Sequence, residues 1–214
     1  MNNFEEQMRI TKLGNPAKPN GEEGKQLLER MNESHFEVTG WALGHWNINS
    51  NDNILDIGCG GGATLKRMSN DIVEGHLTGI DYSHTSVNVS TSNNLEDVQR
   101  GKMKIIEGSV ESLPFEENYF DKIITVESFY FWPNHLENLK EVLRVLKVDG
   151  EFLLVADIYN KEGLDDQTLN NIKEFNLYNP TTLEFYTLLS DAGFRNIKIY
   201  TRENTSWICV KGQK

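Results

Sequence analysis

The chain has 214 residues, enough for one domain with a self-sufficient hydrophobic core. Its 32 acidic against 21 basic residues give a formal net charge of -11, which repels nucleic-acid phosphates and anionic membrane surfaces. We expect a cytoplasmic protein, because the sequence has neither an apolar signal segment nor a spanning segment of roughly 20 residues, and only two distant cysteines.

The first 50 residues are predicted to form an N-terminal arm and a helical cap. Prolines and glycines in residues 14–21 interrupt the beginning of the chain, so we expect the first twenty or so residues to be an irregular arm. Apolar residues then recur at helical spacing in two groups within residues 22–46 and predict two short helices. We expect these segments to lie over a site.

Residues 51–214 alternate between predicted strands and helices, as in one compact domain. The predicted strands span residues 53–57, 77–81, 103–107, 120–126, 151–158, 197–200 and 206–210. The predicted helices span residues 63–69, 83–99, 136–146 and 181–192. Strands separated by helices predict parallel βαβ units, while the short polar turn between the last two strands predicts an antiparallel hairpin. The fold class is therefore α/β, with a doubly wound, mostly parallel, seven-stranded Rossmann-like sheet, and residues 161–178 form a polar insertion.

The run ILDIGCGGGAT carries the strongest chemical signal. It places Gly58, Gly60 and Gly62 directly after an apolar strand and directly before a helix. Glycine permits a positive φ and lets the backbone approach a ligand closely. Asp81 ends the next predicted strand, near the interval of roughly 20 residues at which an acid binds ribose hydroxyls. These features predict a site for an adenosine-type ligand, although Asp81 could also be only a helix cap.

Asp56 helps to decide between NAD and a ligand that contains a methionine moiety. Gly58, Gly60 and Ala63 also satisfy the dinucleotide fingerprint in its Gly/Ala form, so NAD remains possible from these residues. A carboxylate at Asp56 would repel a pyrophosphate but could hold the cationic amino group of a methionine moiety. The alternative is that Asp56 only ties down backbone groups.

Five segments, in order, extend the pattern. They are NILDIGCGGG, GIDYS, GSVESLPF, YFDKIITVESFYFW and LKEVLRVLKVDGEFLLV. Together they resemble the successive motifs of class I S-adenosylmethionine-dependent methyltransferases, most closely the small-molecule branch often called methyltransferase type 11. The resemblance spans residues 53–158, and LLSDAGFRNIKIY resembles the closing helix and strand of that family. It implies S-adenosylmethionine as the cofactor and a small molecule as the methyl acceptor.

The resemblance also implies roles for individual residues. Gly58, Gly60 and Gly62 would line the methionine end of the cofactor. Asp81 would bind the ribose hydroxyls, and Tyr82 would pack on the adenine.

One motif departs from the family pattern. Family members commonly have an acid directly after the glycine of GSVESLPF, where it receives the adenine amino group, but this chain has Ser109. The Ser109 hydroxyl or the backbone around Val110 could serve instead. Glu127 matches the motif that lies beside the methyl group in this family. The alternative interpretation is that Glu127 is only an exposed acid in a loop.

Catalytic candidates follow the fourth predicted strand. Methyl transfer needs the acceptor in line with the bond that breaks, so positioning supplies much of the acceleration and a base is optional. Glu127, Tyr130 and His135 are the candidates in this region. His35 and His45, in the helical cap, are further candidates, although a lone histidine is more often structural.

Two other functions remain open at this point. An oxidoreductase would bind NAD, and a noncatalytic protein on the same fold would bind the cofactor but transfer nothing. We expect no metal site, because no group of histidines and cysteines has ligand spacing.

Overall fold

The computed structural model describes residues 3–214, which form one mixed sheet with helices on both faces. The strands are β1 Asn53–Ile57, β2 His76–Asp81, β3 Met103–Glu107, β4 Phe120–Val126, β5 Leu146–Ala156, β6 Arg195–Thr201 and β7 Ile208–Gln213. The helices are α1 Asn3–Gly14, α2 Gly21–Ser34, α3 Phe36–Leu43, α4 Ala63–Ser69, α5 His84–Asn93, α6 Leu95–Gln99, α7 His135–Val145, α8 Asp166–Glu174 and α9 Thr182–Ala192. None of these described helices has the length and apolarity needed to cross a membrane.

The seven strands lie in the order β3-β2-β1-β4-β5-β7-β6. Strands β1 to β5 pair in parallel, and β7 is antiparallel to both β5 and β6. The predicted fold class and the closing hairpin are therefore confirmed. The chain direction across the sheet reverses between β1 and β4, and an open α/β sheet forms its ligand crevice at the carboxyl ends of such strands.

Both faces of the central strands are buried, which explains their continuous apolar sequences. Ile54 and Ile124 face a core that α3 and α4 cover. Leu55 and Ile123 face the opposite core, which α7 and α9 cover. Because successive side chains of a strand point to opposite faces, a strand that is buried on both faces consists mostly of apolar residues.

The beginning of the chain differs from the predicted irregular arm. Residues Asn3–Gly14 form α1, and only residues 15–20 are irregular. The helix-breaking residues all lie at or after its last position, and α1 packs on α2. Arg9 forms ion pairs with Glu6 at 2.9 Å and with Glu23 of α2 at 3.5 Å. Contact with α2 supplies the stabilisation that the sequence pattern of α1 alone did not reveal.

A second difference concerns the helix predicted over residues 83–99, which is two helices. Asn94 separates α5 from α6, and its buried side-chain amide donates to the backbone oxygens of Gly62 at 3.1 Å and Ser90 at 2.9 Å. The break therefore fixes the end of the glycine loop against α5.

Ser83 joins α5 to the irregular segment at residues 15–20. Its hydroxyl oxygen accepts a hydrogen bond from the Ser86 N–H at 3.1 Å, which caps α5, and the same hydroxyl donates to the backbone oxygen of Pro19.

We expect Ser83→Ala to lower the free energy of unfolding by about 1–2 kcal/mol, because the helix loses its cap and the Pro19 carbonyl loses a donor. Urea denaturation followed by circular dichroism measures this change. The control is Ser92→Ala, which removes an exposed hydroxyl from the same helix and should change stability by less than about 0.5 kcal/mol. Equal effects of the two substitutions would contradict the assigned role of Ser83.

Candidate functional site

The loop between β1 and α4 brings backbone rather than side chains to the crevice. Gly58 and Gly62 have φ values of +71° and +79°, and a Cβ on either would lie within 2.5 Å of the side chains of Ser128 or Ser90. A Cβ on Gly60 would have no neighbouring atom closer than 3.6 Å. Packing therefore requires glycine at positions 58 and 62, whereas Gly60 borders open space.

Asp81 closes this loop from the end of β2. Its Oδ2 accepts a hydrogen bond from the Gly60 N–H at 3.0 Å, and its Oδ1 accepts one from the Ser83 N–H at 2.9 Å. Burial raises the pKa of the Asp81 carboxyl above its ordinary value, while these N–H donors oppose the rise. The N-cap of α5 is Ser83, so the alternative that Asp81 is only a helix cap does not apply.

Asp56 is buried in β1, and neither of its carboxylate oxygens has a hydrogen-bond partner. Burial, followed by repulsion from Asp81, raises the pKa of Asp56 to about 8. Asp56 therefore does not tie down backbone groups, which was the alternative that the sequence left open. A buried polar atom without a partner costs about 1–3 kcal/mol, so this carboxyl lowers the stability of the ligand-free protein.

These groups surround a cavity of about 350 Å³. The residues with predicted ligand roles that line it are Asp56, Gly58, Gly60, Asp81, Tyr82, Ser109, Val110 and Glu127. Gly62 is not among the lining residues, because it packs behind the loop against α5.

The irregular segment at residues 15–20 covers the cavity from the N-terminal side. Pro16, Ala17 and Pro19 line the cavity wall. The Tyr82 hydroxyl donates to the backbone oxygen of Ala17, and the Lys18 ammonium lies 5.1 Å from the centroid of the Tyr82 ring. Tyr82 thus connects the covering segment to the end of β2.

Glu127 lies directly after β4, where it is 7% exposed and has a φ of +53°, a conformation that non-glycine residues rarely adopt. The Tyr130 hydroxyl contacts its Oε2 and also lies 3.1 Å from Oδ1 of Asp157. One hydroxyl has one proton, so it cannot donate to both carboxylates at once. Burial, followed by repulsion from Asp157, raises the pKa of Glu127 well above its usual range.

Glu127 also separates the first cavity from a second one of about 570 Å³. Both cavities are lined by His35, Glu127 and Phe131. Tyr130 and Asp157 line the second cavity but not the first. The site therefore consists of two adjoining spaces with a cluster of ionisable groups between them.

Comparison with known proteins finds similar methyltransferases. Residues 55–154 match the family model of a methyltransferase domain. The chain is 28% identical over 128 residues to the uncharacterized methyltransferase YdaC of Bacillus subtilis (strain 168), an alignment that covers 60% of this chain and 68% of that protein. The fold superposes on a SAM dependent methyltransferase from Aquifex aeolicus with a TM-score of 0.73 and 18% identity, over 88% of this chain and 97% of that one.

These comparisons support a class I S-adenosylmethionine-dependent methyltransferase. The cofactor of this family is S-adenosylmethionine, which replaces the NAD alternative that the glycine pattern left open. A further relative is the chloroplastic 2-methyl-6-phytyl-1,4-hydroquinone methyltransferase of Arabidopsis thaliana, 24% identical over 170 residues, which cover 73% of this chain and 48% of that protein.

Two of the histidine candidates lie away from the two cavities of this methyltransferase. The His135 ring packs against Tyr178 at a tilt of 32° with centroids 3.9 Å apart, and its Nε2 lies 3.1 Å from the backbone oxygen of Phe129. The His45 ring stacks on Tyr200 with centroids 4.1 Å apart. Neither histidine lines a cavity, whereas His35 lines both.

Two acids of the methyltransferase site were missed from the sequence. Asp157 directly follows β5, and because β5 pairs with β4, its carboxyl reaches the same sheet edge as Glu127. Glu111 lines the first cavity, and the Ser109 hydroxyl donates to it at 3.3 Å. The available signals were the acid at the end of a central strand and the acid within GSVESLPF.

We expect Asp56→Asn to raise the melting temperature of the ligand-free methyltransferase increasingly as the pH rises. An unfolded aspartate ionises near pH 3.9, whereas folded Asp56 ionises near pH 8. Between these values the unfolded state loses the proton that the folded state retains, so the wild type loses stability with rising pH and the amide does not. Calorimetric melting from pH 4 to pH 9 measures the difference, which should stop growing above about pH 8. A pH-independent difference would contradict the assigned environment of Asp56.

Proposed function

We propose that this chain transfers a methyl group from S-adenosylmethionine to a small-molecule acceptor. The observation that carries the proposal is the junction of the two cavities at Glu127. A methyl donor and an acceptor must meet in line, so adjoining spaces with a common boundary suit the reaction. Two relatives are named for small-molecule reactions, the Arabidopsis thaliana hydroquinone methyltransferase and the demethylmenaquinone methyltransferase of Listeria innocua.

The residues around the first cavity fit the cofactor. An ammonium group near Asp56 would give the unpartnered carboxylate a hydrogen-bonding cation. Each oxygen of Asp81 accepts one N–H bond and keeps a further lone pair that a ribose hydroxyl can use. We assign the adenine edge to the wall formed by Ser109 and Val110, with Tyr82 packed against the ring.

The bound cofactor supplies a sulfonium methyl group that a nucleophile can attack. The protein contributes position and exclusion of water: the loop at Gly58 and Gly60 holds the methionine end, and the segment at residues 15–20 covers it. We assign Glu127 and Tyr130 to the boundary where the acceptor meets the methyl group. His135 is left out of this assignment because its ring packs against Tyr178 outside both cavities.

We further propose that residues 1–50 act as a cap on the catalytic unit at residues 51–214. Met31 and His35 reach both cavities from the cap. The insertion at residues 161–178 covers the acceptor, since Thr168, Asn171 and Phe175 line the second cavity.

Titration calorimetry with S-adenosylmethionine and S-adenosylhomocysteine tests the cofactor site. We expect saturable binding of both to the wild type and binding at least about 10-fold weaker to Asp81→Ala, which loses the ribose acceptor and frees two buried N–H groups. The control is Asp191→Ala, which removes an exposed carboxylate on α9 and should bind as the wild type does. Unchanged affinity in Asp81→Ala would contradict the proposed site.

Transfer of labelled methyl groups to a panel of quinols, phenols, amines and thiols then tests the activity. A labelled product supports the enzyme. Cofactor binding with no product across the panel would favour the noncatalytic alternative on the same fold.

A further inference from the structure

The boundary between the cavities holds a group of side chains that methyl-donor binding does not explain. Glu127 from the end of β4, Asp157 from the end of β5 and His35 between α2 and α3 place one ligand atom each within 4.8 Å of one another. The Tyr130 hydroxyl bridges the two carboxyl groups. Three separate segments of the fold therefore converge on one point in the second cavity.

This cluster lacks a compensating cation. Among the residues that the structure describes, neither Glu127 nor Asp157 pairs with a lysine or an arginine. Oε1 of Glu127 is buried and has no hydrogen-bond partner. Arg30 also lines the second cavity, but its guanidinium donates to the backbone oxygen of Gln7 at 2.9 Å and to the Thr11 hydroxyl. Buried charges in proteins are paired or bind a metal, so the cluster is arranged for a cationic ligand.

The spacing of the cluster can be compared with the spacings that two kinds of cation require. A metal ion with bonds of 2.0–2.2 Å in tetrahedral geometry needs its donors about 3.4 Å apart. An ammonium nitrogen at about 2.9 Å from each acceptor spans acceptors about 4.7 Å apart. His35 Nε2 and Glu127 Oε2 are 4.0 Å apart, a distance between these two values, so the choice between the two cations depends on the wall of the cavity.

The neighbouring wall suits the organic part of such a ligand. Phe131 and Trp207 line the same cavity as the cluster and present apolar rings. Aromatic faces attract an ammonium group and pack against its apolar substituents.

We infer that the methyl acceptor is a primary or secondary amine whose nitrogen is held as an ammonium by Glu127, Asp157 and His35. This inference rests on the proposed function and names its acceptor class. Glu127 and His35 border both cavities, so the held nitrogen adjoins the space assigned to the methyl donor.

The transfer step balances with these groups. The ammonium gives one proton to the Asp157 carboxylate, which releases it to solvent after turnover. The freed lone pair of the nitrogen forms the new N–C bond, and the electrons of the breaking S–C bond stay on sulfur. The products are the N-methylated ammonium, S-adenosylhomocysteine and one proton.

The test compares two probes of nearly equal shape, phenethylamine and 2-phenylethanol. Both are titrated by NMR into the full chain loaded with S-adenosylhomocysteine, whose own binding is measured first. We expect the amine to bind at least about 10-fold more tightly than the alcohol. Asp157→Asn should retain S-adenosylhomocysteine and lose this preference, because the amide cannot balance an ammonium charge. The matched control, Asp191→Asn, changes an exposed aspartate on α9 and should keep the preference.

The outcomes separate this inference from the proposed function. No binding of S-adenosylhomocysteine to the wild type contradicts the cofactor site itself. If the cofactor binds normally, any of three results overturns the amine inference: the amine fails to bind, the two probes bind equally, or Asp157→Asn keeps the preference. A parallel titration with Mn²⁺ followed by electron paramagnetic resonance identifies the alternative cation: tight binding that Asp157→Asn abolishes, without an amine preference, assigns the cluster to a metal.

Discussion

The carboxylate of Asp81 connects the segments that enclose the cofactor cavity. One oxygen holds the Gly60 N–H of the loop after β1, and the other holds the Ser83 N–H at the start of α5. Ser83 in turn contacts Pro19 of the covering segment, and Tyr82 contacts Ala17. Loop, helix and cover are therefore positioned by one buried group and its immediate neighbours. This arrangement depends on the parallel pairing of β1 and β2, which aligns their carboxyl ends.

The cavities contain two acids with carboxyl oxygens that have no hydrogen-bond partner. Asp56 has no hydrogen-bond partner on either oxygen, and Glu127 has none on Oε1. Burial raises the pKa of both groups, so each keeps a proton at a pH at which an exposed carboxyl is ionised. Such groups lower the stability of the ligand-free protein, and a cationic ligand removes that cost. Asp56 and Glu127 thus lower the stability of the ligand-free protein and favour ligand binding, one in each proposed subsite.

Much of the fold could be predicted from the sequence because its signals are local. Continuous apolar runs, the glycine loop and the polar turn before β7 each specify an element without reference to distant residues. Helix α1 was missed because its support comes from α2, through contacts such as that between Arg9 and Glu23. The break at Asn94 was missed for the same reason, since its amide bonds to the backbone of Gly62.

The candidate site was predictable where a motif specifies it and hidden where only the sheet order does. Gly60 lies in the loop after one strand and Asp81 at the end of the next, and this pattern is visible in the sequence. Asp157 joins Glu127 only because β5 pairs with β4, a pairing that no local pattern reveals. His135 looked favourable by its position after β4, but its ring turns toward Tyr178 and away from both cavities.

The central claim is that the cofactor occupies the glycine-lined cavity with its reacting end toward Glu127. A crystal structure of the chain with S-adenosylhomocysteine tests this claim most directly. We expect the amino group of the ligand against the Asp56 carboxyl, the ribose hydroxyls against Asp81 and the sulfur facing the second cavity. A sulfur directed away from Glu127, or a ligand bound outside this cavity, would contradict this placement.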